Sequence, residues 1–400
     1  MLTIVGNGMG DYNFDNLTNM EIDFCKFNKI ICDKNFKEDG NNILKGGFKF
    51  ARDYILENYT KENILYVVTG SPFFFSAGIL IAKRLPSNQV RIINNTSSKA
   101  YMQEKLFIND NDIDTFSLHG RPKIDLTKFL TNNYTFIVCD KYTIPKIQEA
   151  IKFLKPQDIE VTIGYKLGYK DEIIKQINLF DLSYKAFTKE TFGFDMTQPY
   201  VLMIKRLFTL KPLISSDDDF RTERGMITKQ YKRHLSLQNL DLEPNQLLWD
   251  IGAGSGSCGI EAYKRYKVKT IFFEKQPQRV EYIKENLSNH FVLDTLLLEG
   301  NAEELIEQCE DTPQRIFVGG GGEKVINKLP YLYERLDENG VMLINAITLK
   351  HLSLMINILN ENDIKYEVFS LSITGYKGKL DLVEPERQLF QIKILKIGNN

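Results

Sequence analysis

Along the first two hundred residues, short apolar runs, LTIVG, KIIC, ILYVV, QVRII and YTFIVCD, are separated by stretches with helical spacing of apolar positions. This rhythm predicts an α/β unit built on a mainly parallel sheet. Further strands are expected near Val161, in IEVTIGYKLG, and near Val201, in PYVLMIKRL, the latter closing the unit. The segment FTLKPLISSDDDF, Phe208 to Phe220, then breaks the pattern with a proline, two serines and three aspartates, as a linker and a solvated loop do. A boundary near Pro212 gives domains 1–210 and 211–400. The second half restarts the alternation with LLWDIG, KTIFFEK, TLLLEGN, RIFVGG, VMLINAI, YEVFSLSI and QLFQIKIL. Seven strands with the last two close together suit a doubly wound sheet that ends in an antiparallel pair.

The length of 400 residues agrees with two domains, because a single core rarely grows past roughly 250–300 residues. With 43% hydrophobic and 26% charged residues the chain has a globular composition, which excludes a disordered or collagenous chain. Lys and Arg number 51 against 52 Asp and Glu, so no overall basic field favours nucleic acid or anionic lipid. Ile64 to Ala82 carries no charge and is long enough to span a bilayer. Its interior Gly70, Ser71, Pro72 and Gly78 instead predict a buried strand, a tight loop and a helix start. Cys25, Cys32, Cys139, Cys258 and Cys309 form no C-x-x-C pair, and the start MLTIVGNGMGD has no secretory pattern. Reduced thiols, no structural zinc, no membrane segment and a cytoplasmic location are therefore expected.

The strongest chemical signal is LLWDIGAGSGSCGIEA, where a strand should end at Asp250 and Ile251 and a helix should start after Ser257. Gly252, Gly254, Gly256 and Gly259 between them allow close backbone approach and leave amide N–H groups at a helix N-terminus. Glu274 closes the next strand, TIFFEK, where an acid can accept both ribose hydroxyls of a nucleoside cofactor. Asn301 and Ala302 follow the third strand, at the edge where an adenine would lie. Gly319 to Gly322 follow the fourth, either as a flexible turn or as cleared space for a bulky substrate. Trp249 is expected in the core. In the first half, Gly6, Gly8 and Gly10 follow one strand and Thr69, Gly70, Ser71 and Pro72 another, so the two loops either line one trough or merely turn the chain.

Acid–base machinery is sparse. His119, His234, His290 and His351 have no metal-ligand spacing and no G-x-S-x-G elbow exists, so each histidine reads as a surface or satisfied polar residue. His119 in SLHGR is the most suggestive, and Asp217, Asp218 and Asp219 read as a solvated loop. Such poverty suits methyl transfer from a sulfonium, which needs chiefly alignment and exclusion of water. Two glycine loops with a downstream acid also suit hydride transfer on a nicotinamide dinucleotide, or a binding module without catalysis.

The order of these landmarks resembles a known family. DDDF before MITK, DIGAGSGSCGIEA, FFEKQPQRVEYIKEN, EGNAEEL, VGGGGEKV and NAITL are similar to the class I S-adenosylmethionine methyltransferases of the decarboxylating precorrin-6Y type. IVGNGMGD, TGSPFFFSAG, the paired serines of NTSSKAYMQEKL, SLHGR and LGYKDEII resemble the tetrapyrrole methylases. Together they cover nearly the whole chain and resemble the fused precorrin-6Y C(5),C(15)-methyltransferase family of cobalamin biosynthesis. The resemblance implies a two-lobed α/β tetrapyrrole methylase unit for carbon 5. It also implies a seven-stranded Rossmann-like unit for carbon 15 and decarboxylation of the ring-C acetate. S-adenosylmethionine would be held in the second unit by Thr228, Gly252, Ala253, Gly254, Ser255, Gly256, Glu274 and Ala302. In the first unit it would meet Gly6, Gly8, Gly10, Thr69, Gly70, Ser71, Ser97 and Ser98. Most tetrapyrrole methylases carry Asp where this chain has Ser71, so that contact does not carry over. Arg121, Arg221, Arg224 and His119 are candidates to meet a corrinoid's carboxylates. No metal ligand, nucleic acid or membrane is implied, while self-association through the C-terminal half is. Relatives of both folds that modify RNA keep a second substrate class in view, against which the balanced charge argues.

Overall fold

The structure is a computed structural model that describes residues 1–181, 195–377 and 382–398. It divides into two compact units, and the chain passes from one to the other between Leu207 and Phe208. Segments 124–129 and 145–158 cluster with the second unit.

The first unit holds two five-stranded sheets. Strands β1 (Leu2–Gly6), β2 (Lys29–Cys32), β3 (Ile43–Lys45), β4 (Ile64–Val68) and β5 (Val90–Ile93) form a wholly parallel sheet in the order β3-β2-β4-β1-β5. All five residues of β1 and of β4 are buried, which explains why they read as continuous apolar runs. The second sheet contains β6 (Ile113–Ser117), β7 (Tyr134–Val138), β8 (Ile159–Tyr165), β9 (Ile173–Ile177) and β10 (Tyr200–Arg206), ordered β6-β7-β10-β8-β9. Only β6 and β7 run parallel; β10 lies antiparallel to both β7 and β8, and β9 antiparallel to β8. The expectation of a mainly parallel arrangement therefore holds for one lobe alone. The uncharged Ile64–Ala82 stretch is β4, a loop and a short helix, Ala77–Ala82. Among the described residues no helix is long and apolar enough to cross a membrane.

The second unit contains all seven anticipated strands: β11 (Leu247–Ile251), β12 (Lys269–Glu274), β13 (Leu296–Glu299), β14 (Arg315–Val318), β15 (Val341–Ala346), β16 (Glu367–Leu371) and β19 (Leu389–Leu395). Between the last two lies a hairpin of β17 (Thr374–Lys377) and β18 (Leu382–Pro385). The sheet order is β13-β12-β11-β14-β15-β19-β16, with β19 antiparallel to both its neighbours. Trp249 at its centre is fully buried, its ring edge-on to Phe273 at 5.3 Å. The order reverses beside β11, so the ends of β11 and β14 open a crevice, the usual place for a ligand in such a sheet.

Candidate functional sites

In the second unit the chain leaves β11 through Gly252, Gly254 and Gly256, each with positive φ (70°, 62° and 75°), before the helix Ser257–Tyr266. A Cβ on Gly252 would stand 2.7 Å from the Gly320 backbone, so glycine is required there by close packing of two loops. Gly259 serves the helix instead, since a Cβ would strike the Phe272 ring at 2.4 Å. The Glu274 carboxylate accepts the Gly254 N–H at 2.8 Å through one oxygen and those of Lys275 and Gln276 at 2.9 and 3.0 Å through the other. Three of about four lone-pair positions are thus taken, which leaves room for one ribose hydroxyl rather than the expected two. Beneath the loop, buried Asp250 accepts the Gly259 N–H at 3.0 Å, and burial raises its pKa to about 7.

These groups surround a cavity of about 810 Å³. Thr228, Gly252, Ala253, Gly254, Ser255, Glu274 and Ala302 line it, as do Gly319 to Gly322. Gly256 does not; its φ forms the helix-entry turn, and its N–H bonds the Ala253 carbonyl at 2.8 Å. Arg221 and Arg224 are also absent from the wall. The Arg221 backbone is clamped by the Asn286 side chain, and its guanidinium lies over Tyr282 in the open. The cations the fold brings to the cavity are Lys229, Lys232, Lys275, Arg279 and Arg387. Lys232 is buried and paired with Glu386 at 2.9 Å, and Arg279 with Glu223 at 2.8 Å.

Two supports escaped the sequence reading. Arg233 is fully buried on the helix Gln230–Asn239, where it donates to Glu261 (2.7 Å), Asp217 (3.0 Å) and the carbonyls of Thr228 and Ser215 (2.7 Å each). It therefore holds Thr228 at the wall, and Asp217 is an anchor rather than part of a solvated loop. The second support is the buried amide of Gln391 on β19. Its carbonyl accepts from Asn239 at 2.9 Å, while its NH2 donates to Ser236 Oγ at 2.7 Å and Asn345 Oδ1 at 3.0 Å. Its contacts with Ser236 and Asn239 span more than a hundred residues of sequence, beyond the reach of local patterns.

In the first unit, β1 and β4 are neighbours, and their loops are joined by reciprocal bonds: Gly8 N–H to Gly70 O at 3.0 Å and Gly70 N–H to Gly8 O at 3.1 Å. The two glycine loops thus line one trough, a cavity of about 880 Å³ walled by Gly8, Gly10, Thr69, Gly70, Ser71, Ser98 and His119. Gly6 lies behind the wall, where a Cβ would collide with Gly70 O at 2.4 Å, and Ser97 caps the helix Ser98–Leu106. Arg121 does not line the cavity, although the adjacent His119 and Gly120 do. The Ser71 hydroxyl donates to Asn94 Oδ1 at 2.7 Å and accepts the Phe73 N–H at 3.1 Å. Buried Asn7 also lines the cavity: its NH2 donates to Asp11 O, while its Oδ1 finds no partner among the described residues. Among the described residues no group of three His, Cys, Asp or Glu is placed to hold a metal.

A family model described as a precorrin methyltransferase domain matches residues 218–396. The precorrin-6Y C(5,15)-methyltransferase (decarboxylating) of a Sinorhizobium species is 26% identical over 302 residues, 71% of this chain and 68% of that protein. A probable cobalt-precorrin-6B C(15)-methyltransferase (decarboxylating) of Pyrobaculum aerophilum is 32% identical over 165 residues, 40% of this chain and 84% of that protein. A crystal structure of a precorrin-6Y C5,15-methyltransferase from Geobacter metallireducens aligns at 32% identity and TM-score 0.44, covering 46% of this chain and 98% of its own.

Proposed function

Because this chain belongs to the precorrin methyltransferase family, we propose that it is a two-site S-adenosylmethionine-dependent enzyme of cobalamin biosynthesis. It methylates a precorrin-6B or cobalt-precorrin-6B type corrinoid at carbons 5 and 15 and releases carbon dioxide. Residues 1–210 carry the carbon-5 reaction; residues 211–400, which contain the stretch matched by the family model, carry the carbon-15 reaction and the decarboxylation. The observation that carries this reading is the pair of separate glycine-walled cavities, one in each unit.

The second cavity fits the cofactor. The loop Gly252–Gly254 admits no Cβ at its first position, Glu274 retains a free acceptor position, and about 810 Å³ suits a nucleoside with an amino-acid tail. Thr228, Gly252 to Ser255, Glu274 and Ala302 would hold it here, and Gly8, Gly10, Thr69, Gly70, Ser71 and Ser98 in the first unit. Bound S-adenosylmethionine supplies a methyl group activated by a positively charged sulfur. The chain's own residues orient and exclude water: Arg233 fixes Thr228, Glu274 fixes Gly254, and Gly319 to Gly322 clear a wall for a macrocycle.

Calorimetric titration of the whole chain with S-adenosylhomocysteine tests the reading, with two equivalents expected to bind. Retention of NADH without S-adenosylhomocysteine would replace it with a dinucleotide enzyme.

A further inference from the structure

The hydrogen bonds around Gln391 fix which way Asn345 faces. Ser236 Oγ donates its only hydrogen to the Lys232 carbonyl at 2.8 Å, so toward Gln391 it can only accept. Gln391 must therefore present its NH2 to Ser236, and its carbonyl turns to the Asn239 NH2. The second hydrogen of that NH2 goes to Asn345, which must answer with its carbonyl. Asn345 lines the cavity, and its own NH2 is left as the group it offers there. A backbone carbonyl thus sets the polarity of a cavity amide through two intervening side chains.

Position says what the amide meets. The cofactor landmarks, Gly252, Glu274 and Ala302, follow β11, β12 and β13, whereas Asn345 stands on β15, beyond β14 on the other side of β11. Two strand spacings place it roughly 10 Å from β11. Between them lie Gly319 to Gly322 at the end of β14, so this end of the cavity is roomy, and the buried cation of the cavity wall, Lys232, is neutralised by Glu386.

We infer that the ends of β14 and β15 form a neutral carboxylate subsite, in which the Asn345 NH2 donates to the carboxylate arm of the corrinoid that leaves as carbon dioxide. The inference rests on the proposed carbon-15 and decarboxylating activity. In that loss the carbon–carbon bond to the carboxylate breaks, and its electron pair stays on the attached carbon in conjugation with the macrocycle. A proton from water completes the methyl group. A guanidinium would orient the arm but stabilise the charge that must disappear, whereas an amide orients it at smaller cost to the barrier.

Asn345→Asp tests this in the whole enzyme, because Asp is nearly isosteric and still accepts from Gln391. Carbon-5 methylation serves as an internal control. With a precorrin-6B type substrate and S-adenosylmethionine, the variant should release carbon dioxide more than roughly 100-fold more slowly than wild type, because it loses a hydrogen bond to a charged group and also sets a like charge beside the arm. Undecarboxylated product should accumulate, and S-adenosylhomocysteine should bind both sites with unchanged affinity. Asn345→Ala, which removes the donor without adding charge, should fall between. Wild-type release of carbon dioxide by Asn345→Asp would overturn the subsite, and so would a parallel loss of second-site cofactor affinity, which would make Asn345 a cofactor contact. A wild-type enzyme that neither methylates nor decarboxylates the corrinoid would remove the functional reading itself, and the subsite with it.

Discussion

The carboxylate of Glu274 accepts the backbone N–H of Gly254 at 2.8 Å, so the residue that ends one strand also shapes the loop that ends its neighbour. All three of its observed partners are N–H donors. Glu274→Gln would turn an NH2 toward at least one of them. Loss of a charge-assisted bond of about 1.5–3 kcal/mol predicts a roughly 10- to 150-fold weaker second site for S-adenosylhomocysteine by calorimetry. Unchanged affinity would rule out this carboxylate as a cofactor contact.

Asp250 makes stability depend on pH. Burial raises its pKa to about 7, against about 3.9 in an unfolded chain, so the folded state binds the proton more tightly. Its contribution is fully present below about pH 4 and is lost as pH rises toward 7. Asp250→Asn keeps an acceptor for the Gly259 N–H and does not titrate. Urea unfolding should show wild type losing on the order of a few kcal/mol relative to the variant across that window, with no further divergence above it. Parallel curves for the two proteins would contradict this.

Arg233 is a buried charge with four partners. Arg233→Met leaves Glu261 buried without its 2.7 Å partner and should cost about 3–5 kcal/mol, read as a lower denaturant midpoint. Because the same guanidinium holds the Thr228 carbonyl, second-site affinity should fall with it while the first site is spared.

The two sites should separate under a single methyl group. Gly8 has a φ of 76°, and a Cβ there would meet the Asn95 amide at 2.8 Å. Gly8→Ala is therefore strained by about 1–2 kcal/mol before any clash is counted. Calorimetric stoichiometry should drop from two equivalents to one, with the second-unit affinity unchanged. Retention of two equivalents would place the first cofactor elsewhere.

Substrate cations should be sought at the cavity rather than on the entry loop. Arg387 lines the second cavity, is exposed and has no acidic partner among the described residues. Arg387→Ala should raise the KM for corrinoid several-fold while leaving kcat within about twofold, as loss of uniform binding does. Arg221→Ala, on a side chain that lies over Tyr282, should change neither.

Sequence patterns carried the second unit further than the first. Its seven strands are apolar, evenly spaced and mostly parallel, so period and spacing were enough to place them. In the first unit β3, β6 and β9 went unseen. β3 and β9 have no fully buried residue, and β6 mixes Asp114 and Thr115 into its run. The antiparallel setting of β10 left no mark either, because a fully buried strand reads alike in either direction. Glycines marked both cavities since backbone approach and positive φ demand that residue. The supports did not announce themselves: Gln391 acts through partners more than a hundred residues away, Arg233 gathers groups from separate elements, and a lone Arg or Gln in an amphipathic run looks like surface. Arg121, Arg221 and Arg224 stand near motifs in sequence, and charge near a motif does not determine which way a side chain leaves the backbone.

The most direct test of the central claim is mass spectrometry of the corrinoid after incubation of the whole chain with S-adenosylmethionine and a precorrin-6B type substrate, with and without cobalt. Two added methyl groups and the loss of one carbon dioxide are predicted, and the preferred metal state identifies the natural substrate. An unchanged corrinoid mass in both metal states would contradict the account.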